Sequence, residues 1–399
     1  MAKARTTIER AHLLAALKQA AQVVESRNTI PILSHLLLEA GSDGLRISAS
    51  NLDQTVTVLV AAGVEGVARL CVPAAALTAF AASSLAGAEI EITLDPTRQR
   101  ATARHGASRW QAPGLPAEDF PLPTNMPKAA RSLAPPPLLA GAITRASYAV
   151  SREATRYYLN GVNLHHVPGT GDRGATLDVV ATDGHRLVRV RLPLDEVQDK
   201  TLAGLNAIVP RQTLGALATL LSKGDANMEI DEARLRVTAG ETTYITKLID
   251  GTFPEYTRVI PSSNNSDTRV ELRVDQLRHV LAAAESTREG KEHMLHIELS
   301  SDSVEVSGGE GDAAFSGRVE ARVSLGASGD SGVGFNSRYL LQALDAMNAA
   351  EGEAGTVILL GANAINPWLL VDPAAINVTT VLMPARTNGG RQIKEEDAA

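Results

Sequence analysis

Residues 69–80 read "RLCVPAAALTAF": a short run of strand formers, a proline that stops it, and then a helix with apolar residues at helical spacing. The same plan returns as "AIVPRQTLGALATLL" (207–221) and "VGFNSRYLLQALDAM" (333–347), with Val72, Val209 and Phe335 spaced 137 and 126 residues apart. A second class of helix precedes each of these, as "HLLAALKQAAQVV" (12–24), "LLAGAITRASYAV" (138–150) and "QLRHVLAAAES" (276–286). Leu14, Leu139 and Leu277 mark it at spacings of 125 and 138. Alternating strand material follows each second helix. The first two modules then end alike, in "LPAEDFPLP" (115–123) and "IDGTFPEYTRVIP" (249–261), with Phe120 and Phe253 133 residues apart. Two helix classes and a Phe-Pro mark recurring in register are the signature of a repeated module.

Three copies of about 130 residues, an ordinary domain size, account for nearly all of the 399 residues. The boundaries are read at 1–128, 129–262 and 263–386. At the junctions, "PKAARSLAPPP" (127–137) is proline-rich and "PSSNNSDT" (261–268) is polar and turn-forming, as linkers are. Residues 387–399 form a glycine-led, charged tail expected to lack order. The class is α+β, with three similar helix-strand-helix-strand domains. Head-to-tail contacts between like units close into a ring if the rotation per unit permits.

Composition narrows the function. Hydrophobic residues make up 44% and charged residues 21%, the balance of a soluble globular protein. Aromatics are only 3%, so the cores must rest on Leu, Val, Ile and Ala. The one cysteine, Cys71, excludes a disulfide framework and a cysteine-based metal cluster. No secretory h-region follows the N-terminus, and no run reaches the ~18 apolar residues that cross a bilayer, so a cytoplasmic protein is expected. The net charge of −7 argues against holding nucleic acid by bulk attraction, while leaving room for a local basic face. Residues 138–156, read as one helix, offer such a face. Leu139, Ile143, Ala146 and Val150 form an apolar stripe, and Arg145, Arg152 and Arg156 recur away from it, as on a helix that meets phosphates. An ordinary solvated face has the same pattern.

One stretch looks catalytic. In "ATDGHRL" (181–187), Asp183 and His185 would be the acid–base pair of a small-molecule hydrolase. Asp-Gly between the alternating runs "LDVVA" and "RLVRVRL" is first of all hairpin chemistry. No HExxH, GxSxG or Walker loop supplies a nucleophile, a metal or a phosphate cradle, and "GGEGDAAFSG" (308–317) lacks the lysine of one. No catalytic residue, cofactor or metal is expected.

Five motifs taken in order, "RNTIPILSHLLLEA" (27–40), "TRYYLNGV" (155–162), "ATDGHRL", "DGTFPEYTRVIP" (250–261) and "LMPAR" (382–386), resemble the bacterial DNA polymerase III beta-subunit family, the replicative sliding clamps. The resemblance implies a DNA clamp fold in which three domains make half of a ring, and two chains pair head to tail as a homodimer around double-stranded DNA. It implies a non-enzymatic processivity factor, loaded by a clamp loader, that tethers the replicative polymerase and other DNA-processing proteins. The partner-peptide pocket it implies, between the second and third domains, is walled by Leu159, Thr182, Gly184, His185, Arg186 and Leu187. Pro254, Arg258 and Val259 continue the wall, and Asn336, Tyr339, Val381, Leu382, Met383, Pro384 and Arg386 close it. Leu, Val, Met and Pro would make an apolar trough, with Arg and His as directional donors at its rim. The resemblance adds Arg27, Tyr157 and Tyr158 to the DNA-facing arginines Arg145, Arg152 and Arg156, and makes Trp110 in "SRWQAP" the anchor of the dimer interface.

The chain departs from the family pattern in three places. Ala385 stands where a bulkier residue is common, and "AAAESTREGKE" (282–292), which would face Trp110, is more polar than the family's version. The tail "TNGGRQIKEEDAA" (387–399) runs on beside the implied pocket, where it would compete with partners. Tail and Ala385 motivate an alternative, a specialised second clamp serving repair polymerases.

Overall fold

The computed structural model describes residues 3–25, 29–123, 131–171, 173–262, 267–286, 293–310, 313–326, 331–347 and 355–387. The two helix classes are each present three times: Arg10–Ala21, Leu139–Ala146 and Val274–Ser286, then Ala74–Ser83, Leu214–Leu221 and Ser337–Met347. The chain forms two compact units, Met1–Pro135 with Gly215–Leu248 and Pro136–Leu214 with Ile249–Ala399. No helix among the described residues is long and apolar enough to cross a membrane.

In the first unit, strand Ala68–Pro73 stops at its proline and passes straight into helix Ala74–Ser83, because proline sets φ for a helix start and cannot continue a ladder. Leu13, Leu17, Leu77 and Ala81, at helical spacing, are wholly buried. One antiparallel sheet has eight strands, in the order Ala68–Pro73, His35–Gly41, Gly44–Ser50, Gln54–Val60, Thr242–Lys247, Arg234–Ala239, Asn227–Ile230 and Arg131–Leu133. A second has five, in the order Gly63–Glu65, Ala4–Glu9, Glu89–Asp95, Arg100–His105 and Ser108–Pro113. The expected linker 127–137 is therefore a linker only in part. Residues 124–130 lie outside the described residues, and Arg131–Leu133 pairs with Met228–Ile230, where the Leu133 side chain is buried.

The second unit holds a twelve-stranded sheet that is antiparallel throughout. Its order is Asn206–Pro210, Gly161–Val167, Thr176–Thr182, Arg186–Pro193, Val378–Leu382, Trp368–Val371, Thr356–Gly361, Thr268–Arg273, Ala313–Ser324, Ser303–Glu310, Met294–Leu299 and Gly332–Asn336. Phe335 meets Trp368 edge to face at 5.8 Å in its core. Gly361 is required there, because a Cβ on it would stand 2.2 Å from the Trp368 ring.

The single helix expected over 138–156 is not formed. The α-helix covers Leu139–Ala146, a 3-10 turn follows over Ser147–Ala149, and Val150 is extended. Ser147 Oγ donates to the carbonyl of Thr144 at 2.7 Å, a local bond that competes with the next helical turn. Leu139, Ile143 and Ala146 keep the buried stripe, but Arg152 lies in exposed chain beyond it, and Arg156 lies in a second 3-10 segment, Ala154–Leu159.

Candidate functional site

The "ATDGHRL" stretch is a hairpin turn joining Thr176–Thr182 to Arg186–Pro193. Asp183 Oδ1 accepts the backbone N–H groups of His185 (3.0 Å) and Arg186 (3.1 Å), the short-range bonding that makes aspartate a turn former. Gly184 has φ +90°, a backbone conformation that glycine adopts without the strain a side chain would bring. The remaining carboxylate oxygen of Asp183 takes Arg186 Nε at 3.0 Å, and the His185 ring stacks on Tyr339 with centroids 6.0 Å apart. With both oxygens of Asp183 engaged in this way, the acid–base pair of the hydrolase reading is not assembled.

The hairpin forms one side of an apolar pocket of about 170 Å³. Thr182, Gly184, Arg186 and Leu187 line that side, Leu159 comes from the 3-10 segment before it, and Val381 and Met383 come from the last strand and its continuation. Met383 N donates to the carbonyl of His185 at 2.8 Å, which ties that strand's end to the turn. The opposite side is "PEYTRV", which supplies Pro254, Glu255, Tyr256 and Val259. A 3-10 turn over Tyr256–Val259 brings its first and last residues onto one side, since side chains at i and i+3 eclipse in that helix. Beneath lies a core of Leu159, Val180, Leu187, Ile208, Phe253, Tyr256, Leu369 and Val381, which fixes the floor.

Nine of the expected wall residues thus meet around one space: Leu159, Thr182, Gly184, Arg186, Leu187, Pro254, Val259, Val381 and Met383. Seven do not line it. Leu382 alternates away from Val381 into the neighbouring core. Asn336 caps helix Ser337–Met347, accepting the Tyr339 N–H at 3.1 Å. Tyr339 and His185 stack on each other, Arg258 is ion-paired with Glu255 at 2.7 Å, and Pro384 and Arg386 lie past the lining. Glu255 and Tyr256 were missed. The signal for Tyr256 was its place three residues before Val259, legible only once a 3-10 turn is assumed.

Arg186 differs from the rim donor expected of it. Its Nη2 donates to the Tyr148 carbonyl at 2.6 Å, its Nη1 to Gln342 Oε1, and its guanidinium lies 4.3 Å from the Tyr339 ring centroid and 5.1 Å from that of Tyr148. The side chain is 8% exposed. Burial raises the pKa of both tyrosines despite this nearby cation, so their hydroxyls stay protonated.

The other expected residues do not line the pocket. Arg145 is half-buried on its helix, Arg152 is exposed, Arg156 pairs with Glu153 at 2.9 Å, and Tyr157, 54% exposed, meets Tyr158 edge to face at 5.8 Å. Arg27 and residues 388–399 lie outside the described residues. Thr387 Oγ1, just before the latter, contacts His296 Nδ1 at 3.0 Å, and Ala385 N donates to the Gly334 carbonyl at 2.8 Å. Trp110 sits on Ser108–Pro113, the end strand of its sheet. Burial pushes the Cys71 thiol up to about 12, which leaves it unreactive. Among the described residues no three His, Cys, Asp or Glu are grouped to hold a metal.

Three family profiles match in succession: DNA polymerase III beta subunit, N-terminal domain (residues 4–127), central domain (134–255) and C-terminal domain (257–386). A beta sliding clamp of Caulobacter vibrioides is 33% identical over 391 residues, covering 96% of this chain and 100% of the relative. The crystal structure of a Caulobacter crescentus beta sliding clamp with polyethylene glycol bound has a TM-score of 0.87 at 31% identity, over 96% of this chain and 99% of that one. That of a Bartonella birtlesii sliding clamp bound to griselimycin has a TM-score of 0.86 at 28% identity, over 97% and 100%. The chain belongs to the DNA polymerase III beta-subunit family, and its function is that of a DNA sliding clamp.

Proposed function

We propose that two copies of the chain pair head to tail into a closed ring around duplex DNA, and that the pocket beside the "ATDGHRL" hairpin holds the replicative polymerase and other partners by short peptide segments. The domains run over 1–128, 129–262 and 263–386, a division supported by the three profile matches and the three helix pairs. The observation that carries the ring is the set of open sheet edges. Two junctions inside the chain are alike, Gln54–Val60 with Thr242–Lys247 and Arg186–Pro193 with Val378–Leu382. In the third copy the corresponding stretch is the first part of Ala313–Ser324, and in the first copy the corresponding strand is Ser108–Pro113. Neither has a ladder partner on that side among the described residues. Unpaired edges invite pairing with another chain, and a heterologous contact that closes makes a ring.

The register follows by counting. From Pro73, Pro210 and Asn336, which precede the second helices, the ladders make Val56, Val188 and Phe315 equivalent. From Glu9 and Arg273, which precede first helices, they make Trp110 equivalent to Thr380. Val56 stands opposite Tyr244 and Val188 opposite Thr380, so Trp110 of one copy stands opposite Phe315 of the other.

A ring needs no tight grip. Neutralising many phosphates makes affinity fall steeply with salt, and the few proposed DNA-facing groups, Arg145, Arg152, Arg156, Tyr157 and Tyr158, suit loose contact under a net charge of −7. The protein tethers without catalysing, in the cytoplasm, after a clamp loader has opened it. Burying about 300 Å² of apolar peptide surface in the pocket contributes roughly 7 kcal/mol gross, which after ordering costs leaves partners free to exchange. Loaded onto nicked circular DNA by a clamp loader, the protein should survive a high-salt wash and fall off once the circle is cut. Loss in salt from an intact circle would refute enclosure.

A further inference from the structure

Behind the pocket wall lies a polar cluster on three adjacent strands. Tyr256 lines the pocket and is 5% exposed, and its hydroxyl lies 3.0 Å from Asp178 Oδ2 and 2.9 Å from His165 Nδ1. Asp178 is 1% exposed; its Oδ1 accepts from Thr176 Oγ1 (3.1 Å) and Arg191 Nε (3.3 Å), and Arg189 Nε lies 4.0 Å from its Oδ2. A phenol has one proton and a carboxylate only accepts, so Tyr256 donates to Asp178, and His165 must carry its proton on Nδ1 to donate to the phenol oxygen. Burial lowers the His165 pKa, which favours the neutral ring. Burial first, and then the Asp178 charge, raises that of Tyr256, which keeps the hydroxyl a donor.

We propose that Asp178 and His165 are positioning residues for ligand binding: they hold the Tyr256 ring in one orientation and so set the shape and affinity of the pocket. The inference rests on the pocket reading above. The ring is braced edge-on by His165 (5.7 Å, 88°) and Phe253 (6.5 Å, 65°), and the hydroxyl bonds add the constraint that stops it turning within that brace. Tyr256 opens the 3-10 turn that carries Val259, so its tether also steadies the exposed apolar rim. A wall ordered beforehand binds more tightly because less freedom is lost on binding.

The test is calorimetric titration of the full chain with griselimycin, which a related clamp binds. Tyr256→Phe and Asp178→Ala should each weaken binding roughly 3- to 10-fold, the ordinary worth of a hydrogen bond. Asp178→Asn, whose amide oxygen still accepts from the phenol, should recover most of it. Nitrogen-15 spectra should place the His165 proton on Nδ1, and Tyr256→Phe should move it to Nε2, a change that a loss of general stability does not produce. Met383→Ala reports on the pocket itself. If griselimycin fails to bind the unaltered chain, or Met383→Ala binds it equally well, the pocket reading falls and takes this inference with it. If binding and the Met383→Ala loss are as expected while Tyr256→Phe binds unchanged, or His165 is protonated on Nε2 from the start, only the positioning role is overturned.

Discussion

Arg186→Ala is expected to lower the stability of the second unit by about 3–5 kcal/mol, the usual result of removing one partner of a buried, hydrogen-bonded ion pair. The guanidinium joins three segments: its own hairpin through Asp183, the end of the helix Leu139–Ala146 region through the Tyr148 carbonyl, and helix Ser337–Met347 through Gln342. Truncation strands an aspartate whose side chain is only 14% exposed, along with an amide and a carbonyl that lose their donor. It also removes the cation from between two aromatic rings. Arg186→Lys should recover only part of the loss, because an ammonium cannot serve three partners in a planar fork. The measurement is the midpoint of the earliest unfolding transition in urea. A loss below about 1 kcal/mol would place Arg186 among ordinary surface pairs and refute its bridging role.

In the proposed ring, Trp110→Ser should raise the dimer dissociation constant roughly 30- to 1,000-fold, as removal of a central tryptophan costs about 2–4 kcal/mol at an interface. Sedimentation should find the variant monomeric at concentrations where the unaltered chain is dimeric, and it should no longer be retained on circular DNA. The register has its own check. Opposed residues on antiparallel strands have Cα atoms about 4.5–5.5 Å apart, within reach of a disulfide. Trp110→Cys with Phe315→Cys should therefore cross-link two chains on oxidation. Arg109→Cys with Phe315→Cys should not, because side chains one residue apart point to opposite faces. The native Cys71 is buried and contributes no background. Cross-linking of the second pair but not the first would show that the pairing slips by one residue.

Much of this molecule was legible without coordinates, for a local physical reason. Proline or asparagine ending a strand, leucines at helical spacing and Asp-Gly between alternating runs each act within a few residues. The three helices of the second class and the hairpin therefore stand where the pattern of residues 69–80, 207–221 and 333–347 and the turn at 183–184 placed them. The helix read through residue 156 failed because its stripe continues past a serine that bonds back to Thr144, a competition that periodicity does not register. Other features were decided only by distant contacts. Whether Arg186 reaches outward or clasps Gln342, whether Leu382 or Val381 faces the pocket, and how Asp178 meets Tyr256 across 78 residues depend on contacts between segments far apart in the chain. Local chemistry set the elements and their repeat; long-range pairing set which side chains face one another, because a donor finds its acceptor only after the sheet has brought them together.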